Sequence, residues 1–120
     1  MKYLLMIYGN QEKWDTIPAE DWPKEIAKQD AWNKKYMATG ELLGGYALPD
    51  AEAARQVSRR DGAPVIVEGP YLETKEHMAT FYLVDVESEE RAYELAADMP
   101  WADLNPTEVW PIVHDSTQDA

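Results

Sequence analysis

A chain of 120 residues, 45% hydrophobic and with a net charge of −12, has room for one domain with a modest core. Its acidity disfavours nucleic acid and anionic membranes as partners, because both demand Lys and Arg; residues 85–120 alone hold ten acids and one base, Arg91. Cysteine is absent, which excludes disulfides, thiolate metal sites and a cysteine nucleophile.

Residues 2–8 are β-rich and apolar on both alternating sets, Tyr3, Leu5 and Ile7 against Leu4, Met6 and Tyr8. A strand with one wet face alternates instead, so both faces of this strand require cover. The run is too short for a membrane span or a signal peptide and predicts a cytoplasmic protein. Residues 9–17 read as a polar loop. Pro18 opens a short turn to Asp21, which is placed to cap a main helix with Pro23 in its first turn. That helix runs to Ala38 or Thr39 and stops at Gly40. At 100° per residue, Trp22, Ile26, Gln29, Trp32, Asn33, Tyr36 and Met37 share one stripe, with Lys24, Lys28 and Lys35 opposite.

Residues 42–48 form a strand whose Gly44-Gly45 pair signals a bulge or a close backbone approach. Residues 55–60 and 64–68 flank Asp61-Gly62, a strong hairpin signal, with Pro64 at a strand start or edge. Residues 68–78 read as a loop, and residues 79–86 as a second long strand apolar on both sets. Ser88 caps a helix over residues 89–97, with Glu89 and Glu90 at its positive end. Residues 107–113 form a last strand, and residues 115–120 a flexible tail beyond a single domain of residues 1–114.

The order β-α-β, hairpin, β-α-β predicts an α+β, ferredoxin-like sandwich with an antiparallel sheet and both helices on one face. The other face of the central strands would then be apolar and open. A second copy related by a two-fold axis is the simplest cover, giving a homodimer.

Asp61-Gly62 followed by Glu68-Gly69-Pro70-Tyr71-Leu72-Glu73-Thr74-Lys75-Glu76 resembles the "DG…DGPFxETKE" signature of the YCII-related (DGPF) family. Residues 81–86, Phe-Tyr-Leu-Val-Asp-Val, are similar to its "GFYLIDV" strand, and residues 1–9 to its N-terminus. The resemblance implies a ferredoxin-like fold that dimerises into an α+β barrel, and neighbourhood with sigma factors, hence a sigma-factor-related protein as a partner. Glu68, Tyr71 and Leu72 depart from the family's usual Asp, Phe and small residue. Some members are thought to use a His eleven residues before the helix-ending Gly, with an Asp near the helix end. Here those places hold Gln29 and about Ala38. An amide takes up no proton near neutral pH, so an acid–base mechanism carried over through that His is in doubt.

The candidate ligand-binding residues are Gln29, Asn33, Glu68, Tyr71, Glu73, Thr74, Lys75 and Tyr82. Gln29 and Asn33 are amides on the apolar stripe, which need partners within the fold or a ligand. Residues 68–76 supply carboxylates, Lys75, Thr74 and Tyr71 around a Gly-Pro pivot, either as a ligand site or as a turn network of internal ion pairs. Of the aromatic set Tyr3, Tyr8, Trp32, Tyr36, Tyr46 and Tyr82, some are core and some are candidates for a pocket wall. His77 and His114 show no metal-ligand spacing, and no cofactor or catalytic constellation is expected. Three functions compete: a small-molecule-binding or regulatory dimer, a cofactor-independent enzyme using Tyr82, Lys75 or a Glu, and a protein-interaction module.

Overall fold

The computed structural model describes residues 1–49, 51–69 and 76–117. Strand β1 spans Lys2–Asn10, helix α1 Gln11–Trp14, helix α2 Trp22–Ala38 and strand β2 Leu42–Ala47. Strands β3 (Arg55–Arg60) and β4 (Ala63–Glu68) form a hairpin, followed by β5 (Glu76–Asp85), α3 (Glu89–Ala97) and β6 (Thr107–Pro111). The main sheet is antiparallel in the order β2-β5-β1-β6, and β3-β4 pair separately. Two interlocked β-α-β units with β1 and β5 at the centre make the fold α+β and ferredoxin-like.

The two-sided apolar pattern of the central strands resolves into two faces. Tyr3, Leu5 and Ile7 of β1, with Tyr82 and Val84 of β5, are buried against α2 and α3. Leu5, Val84 and Leu95 are fully buried, each contributing about 1.5–3 kcal/mol relative to exposure. On the opposite face Leu4, Met6, Tyr8, Phe81 and Leu83 are half-buried, and Trp110, across from Leu4, is 54% exposed.

Trp32 organises the helical layer. Its ring lies 5.1 Å from that of Tyr36 and 5.0 Å from that of Tyr82, and its Nε1 donates to the Leu95 carbonyl of α3 at 3.1 Å. The other end of α3 begins where Ser88 Oγ accepts from the Arg91 backbone N–H at 3.1 Å. Arg91 forks onto Glu41, in the turn after α2, at 2.8 and 2.9 Å. Asp98, just past α3, accepts from the Tyr36 hydroxyl at 2.7 Å and from Lys35 at 2.9 Å.

Five sequence expectations are corrected. Residues 9–17 are not all loop: Gly9 and Asn10 continue β1, and α1 follows, setting Trp14 against Trp22 and Trp101 at 6.1 and 5.3 Å. Asp21 occupies the N-cap of α2 without a side-chain cap bond, because a 3-10 turn at Ala19–Asp21 runs straight into the helix and holds Asp21 in helical geometry. Ile26 and Met37 belong to the apolar stripe yet are exposed, since the stripe is wider than the strip of sheet beneath it. The loop expected over residues 68–78 is strand at both described ends, Glu68 in β4 and Glu76 onward in β5. Beyond residue 114, Asp115 pairs with Lys2 at 2.9 Å, so the described part of the tail is tied to β1.

The glycine pair serves two faces. The Leu42/Gly44 register shift leaves Leu43 as the bulged residue. A Cβ on Gly45 would stand 2.6 Å from the Tyr82 ring, whereas one on Gly44 would meet the tip of the exposed Tyr46 side chain at 2.8 Å. Gly45→Ala is therefore expected to cost ~1–3 kcal/mol in urea unfolding, and Gly44→Ala markedly less, because only Tyr82 is confined. A second expectation concerns pH. Hydrogen bonds from Tyr36 and then Lys35 hold the Asp98 carboxyl below its usual range. A folded pKa below the unfolded one gives stability that is complete above the ordinary carboxylate range and lost as pH falls through the folded value. Asp98→Asn should flatten that acid limb when urea midpoints are followed from pH 7 down to pH 3.

Candidate functional site

A cleft of about 430 Å³ lies between α2 and the β2 side of the sheet. Ile7, Thr80 and Tyr82 are on its sheet side, and Gln29, Asn33 and Met37 of α2 face them. Residues 42–47 form the β2 wall, and Trp101 contributes from the loop after α3. Met37, Leu43 and Tyr46 are exposed at the rim, while Ile7 and Tyr82 are buried at the base. Sheet geometry explains the base: Ile7 stands opposite Thr80, and Tyr82 opposite Gly45, so all four share the helix-facing side. The missing side chain at Gly45 is what lets the Tyr82 ring lie flat against β2.

The polar groups of the cleft form one small network. Gln29 Nε2 donates to Asn33 Oδ1 at 3.1 Å, one helical turn on, and to the Tyr82 hydroxyl at 2.8 Å. Both amide protons are thereby used. Gln29 Oε1 is buried with no hydrogen-bond partner. The Tyr82 hydroxyl accepts from Gln29 and keeps its own proton to donate. Burial, reinforced by the nearby Asp30 charge and only partly offset by the Gln29 bond, raises the Tyr82 pKa, so the phenol stays neutral at physiological pH.

None of the described lining residues bears a formal charge, in a chain of which 28% is charged. The site therefore presents a phenolic donor and an amide acceptor on an apolar bed. It can hold and polarise a carbonyl or hydroxyl group. Among the described lining residues no group accepts a proton near pH 7, since neither amide is basic and the phenol pKa is raised. Among the described residues no three of His, Asp and Glu converge as a metal site would require. No helix is long and apolar enough to cross a membrane among the residues described.

Of the residues expected from sequence, Gln29, Asn33 and Tyr82 come together. Glu68 does not join them: it ends β4, exposed, opposite Arg55. Tyr71, Glu73, Thr74 and Lys75 lie outside the described residues. Of the aromatic set, Tyr82 walls the cleft, Tyr46 borders it only at the rim with its ring against Phe81 on the open face, and Tyr3, Trp32 and Tyr36 are core. Sequence reasoning missed Thr80, Leu43 and Trp101. Trp101 carried a readable signal, an aromatic residue right after a Met-Pro helix stop; its Nε1 donates to Glu25 of α2 at 2.6 Å, fixing the ring beside the cleft.

A model of the YCII-related domain family matches residues 1–114. The chain belongs to that family. The resemblance read from the "DGPF"-like segment is thus met over nearly the whole sequence. Among YCII-related relatives, the chain is 27% identical over 107 residues to "Uncharacterized protein R00369" of Rhizobium meliloti (strain 1021), covering 89% of this chain and 85% of that protein. Among solved structures it is similar to 5-chloro-2-hydroxyhydroquinone dehydrochlorinase (TftG) from Burkholderia phenoliruptrix AC1100, in complex with 2,5-dihydroxybenzoquinone. That likeness has a TM-score of 0.49 and 12% identity over 98% of each chain.

The network makes a stability prediction. A buried polar atom without a partner costs about 1–3 kcal/mol, whereas removing both partners of a bond for apolar groups of similar shape is nearly neutral. The double variant Gln29→Met/Tyr82→Phe should therefore melt at or above the wild-type temperature when scanned without ligand. A clear drop would mean that Gln29 and Tyr82 are kept for the fold itself.

Proposed function

We propose that this YCII-related chain is a small-molecule-binding protein that works as a homodimer, with the cleft between α2 and β2 as its ligand site. The observation that carries the reading is Gln29 Oε1, buried and unpartnered in the wall of an uncharged cleft. A buried acceptor without a partner is costly, and a ligand donor that reaches it as the Gln29 side chain turns would remove that cost, while the Tyr82 proton is left for an acceptor. The ligand class that fits is a small uncharged molecule, largely apolar, with a hydrogen-bond donor and acceptor close together. A carboxylate or an ammonium would lose its hydration without meeting an opposite charge. Binding rather than turnover is the favoured role, because Gln29 stands at the family's His position and nothing among the described cleft residues replaces that base.

The homodimer is supported by the open sheet face. Leu4, Met6, Phe81 and Leu83, with Tyr46 and Trp110, are cross-strand neighbours that line this face with half-buried and exposed apolar side chains. A second copy about a two-fold axis covers it with an identical surface, closing an α+β barrel.

Thermal scanning against a panel of neutral, anionic and cationic small molecules tests the ligand reading. A neutral binder at about 100 times its dissociation constant adds ~2.7 kcal/mol to the native state and raises the melting temperature by several degrees. That shift should vanish in Gln29→Met/Tyr82→Phe. Stabilisation confined to charged compounds, or equal in the double variant, would remove the cleft from consideration. For the dimer, sedimentation equilibrium should give twice 13.7 kDa, and Trp110→Lys should return the mass to that of one chain.

A further inference from the structure

The β3–β4 hairpin projects from the body. Of its twelve residues, eleven are exposed and Val65 alone is half-buried. Val57 and Ile66 face each other across the ladder and are 63% and 64% exposed. The turn between the strands is well made: Asp61 and Gly62 both have positive φ, 52° and 82°, the geometry that matches strand twist. Yet a two-stranded hairpin with no third layer is marginal in water. The radius of gyration is 16.8 Å, where a compact chain of this length gives about 13.6 Å, so the molecule is drawn out.

Charge says what the hairpin meets. It carries Arg55, Arg59 and Arg60, three of the four arginines of the chain, against Asp61 and Glu68. It is therefore net positive on a molecule whose total is −12. On one face Val57 and Ile66 form an apolar centre, with Arg55 and Glu68 paired at one end and Arg59 beside Pro64 at the other, so the rim is polar with Arg59 as its unbalanced charge. A nucleic acid would be repelled by the rest of the molecule. The acid-rich surface that suits this arm is the one that every copy of the chain already displays.

We propose that the β3–β4 hairpin is an exchange arm: in a pair of copies, each lays its Val57–Ile66 face and the flanking Arg59 on the acidic body of the other. The contact is isologous, so each copy gives one arm and receives one. This inference rests on the homodimer reading above, and it adds a second contact that the open sheet face does not provide.

The test is deuterium exchange of the full chain, above and below the concentration at which it associates, with dissociation constants measured for arm variants. Amides of residues 55–68 should be protected in the pair and exposed in the single copy. Val57→Asp should raise the dissociation constant roughly ten-fold or more. Arg59→Glu should raise it too and flatten its dependence on salt. If residues 55–68 exchange equally in both states and both variants associate like the wild type, the arm contact is overturned. Loss of association in Trp110→Lys would at the same time keep the sheet-face dimer standing. A chain that stays single at every concentration overturns both.

Discussion

The Trp32 indole stands where α2, α3 and the central strand β5 meet. Its ring edges onto Tyr36 and Tyr82, and its N–H reaches the Leu95 carbonyl. A buried indole N–H without an acceptor would be costly, so this one bond sets how far α2 sits from α3 and how α2 is rotated over the sheet. The rotation decides everything at the cleft. With Trp32 and Tyr36 pointing into the core, Gln29 and Asn33 are carried to the side of the helix that overhangs β2. Tyr82, pressed between Trp32 and the bare backbone of Gly45, is then held at 2.8 Å from the Gln29 amide.

The cleft is thus a by-product of core packing. Its base is held by apolar contacts that need no ligand, and the Gln29 Oε1 and the Tyr82 proton are left unmet there. Around it the strong electrostatic pairs lie elsewhere: Arg91 with Glu41 and Glu94, Tyr36 and Lys35 with Asp98, Lys2 with Asp115. These pairs brace helix ends and the start of β1, away from the described cleft residues. The separation leaves the described cleft residues uncharged on a chain whose net charge is −12.

Much of this was legible in residue order. The failure of alternation in β1 and β5 announced a sheet in need of cover on both sides, and the hairpin turn, the Ser88 cap and the Gly40 stop were readable as local chemistry. Gln29 and Asn33 stood out because amides on an apolar stripe need an explanation. What stayed hidden was tertiary. The helical period gives a stripe but not the width of the sheet below it, so exposed Ile26 and Met37 looked like core. Nothing in residues 9–17 shows that Trp14 finds Trp22 and Trp101, because an aromatic cluster assembled from three segments has no sequence period. The capping expectation at Asp21 failed for a local reason: a preceding turn had already used helical geometry there. The arm was visible as a hairpin, but its isolation from the main sheet follows only from the strand order.

The two outer strands of the main sheet carry a final consequence. The β2 border is interrupted at Leu43, where one extra residue breaks the regular spacing of free N–H and C=O groups. The β6 border ends in Pro111, which has no N–H to offer. Neither side is a good template for strand-by-strand growth into fibrils. A molecule with so apolar an open sheet face is thereby steered away from endless growth along its strand borders.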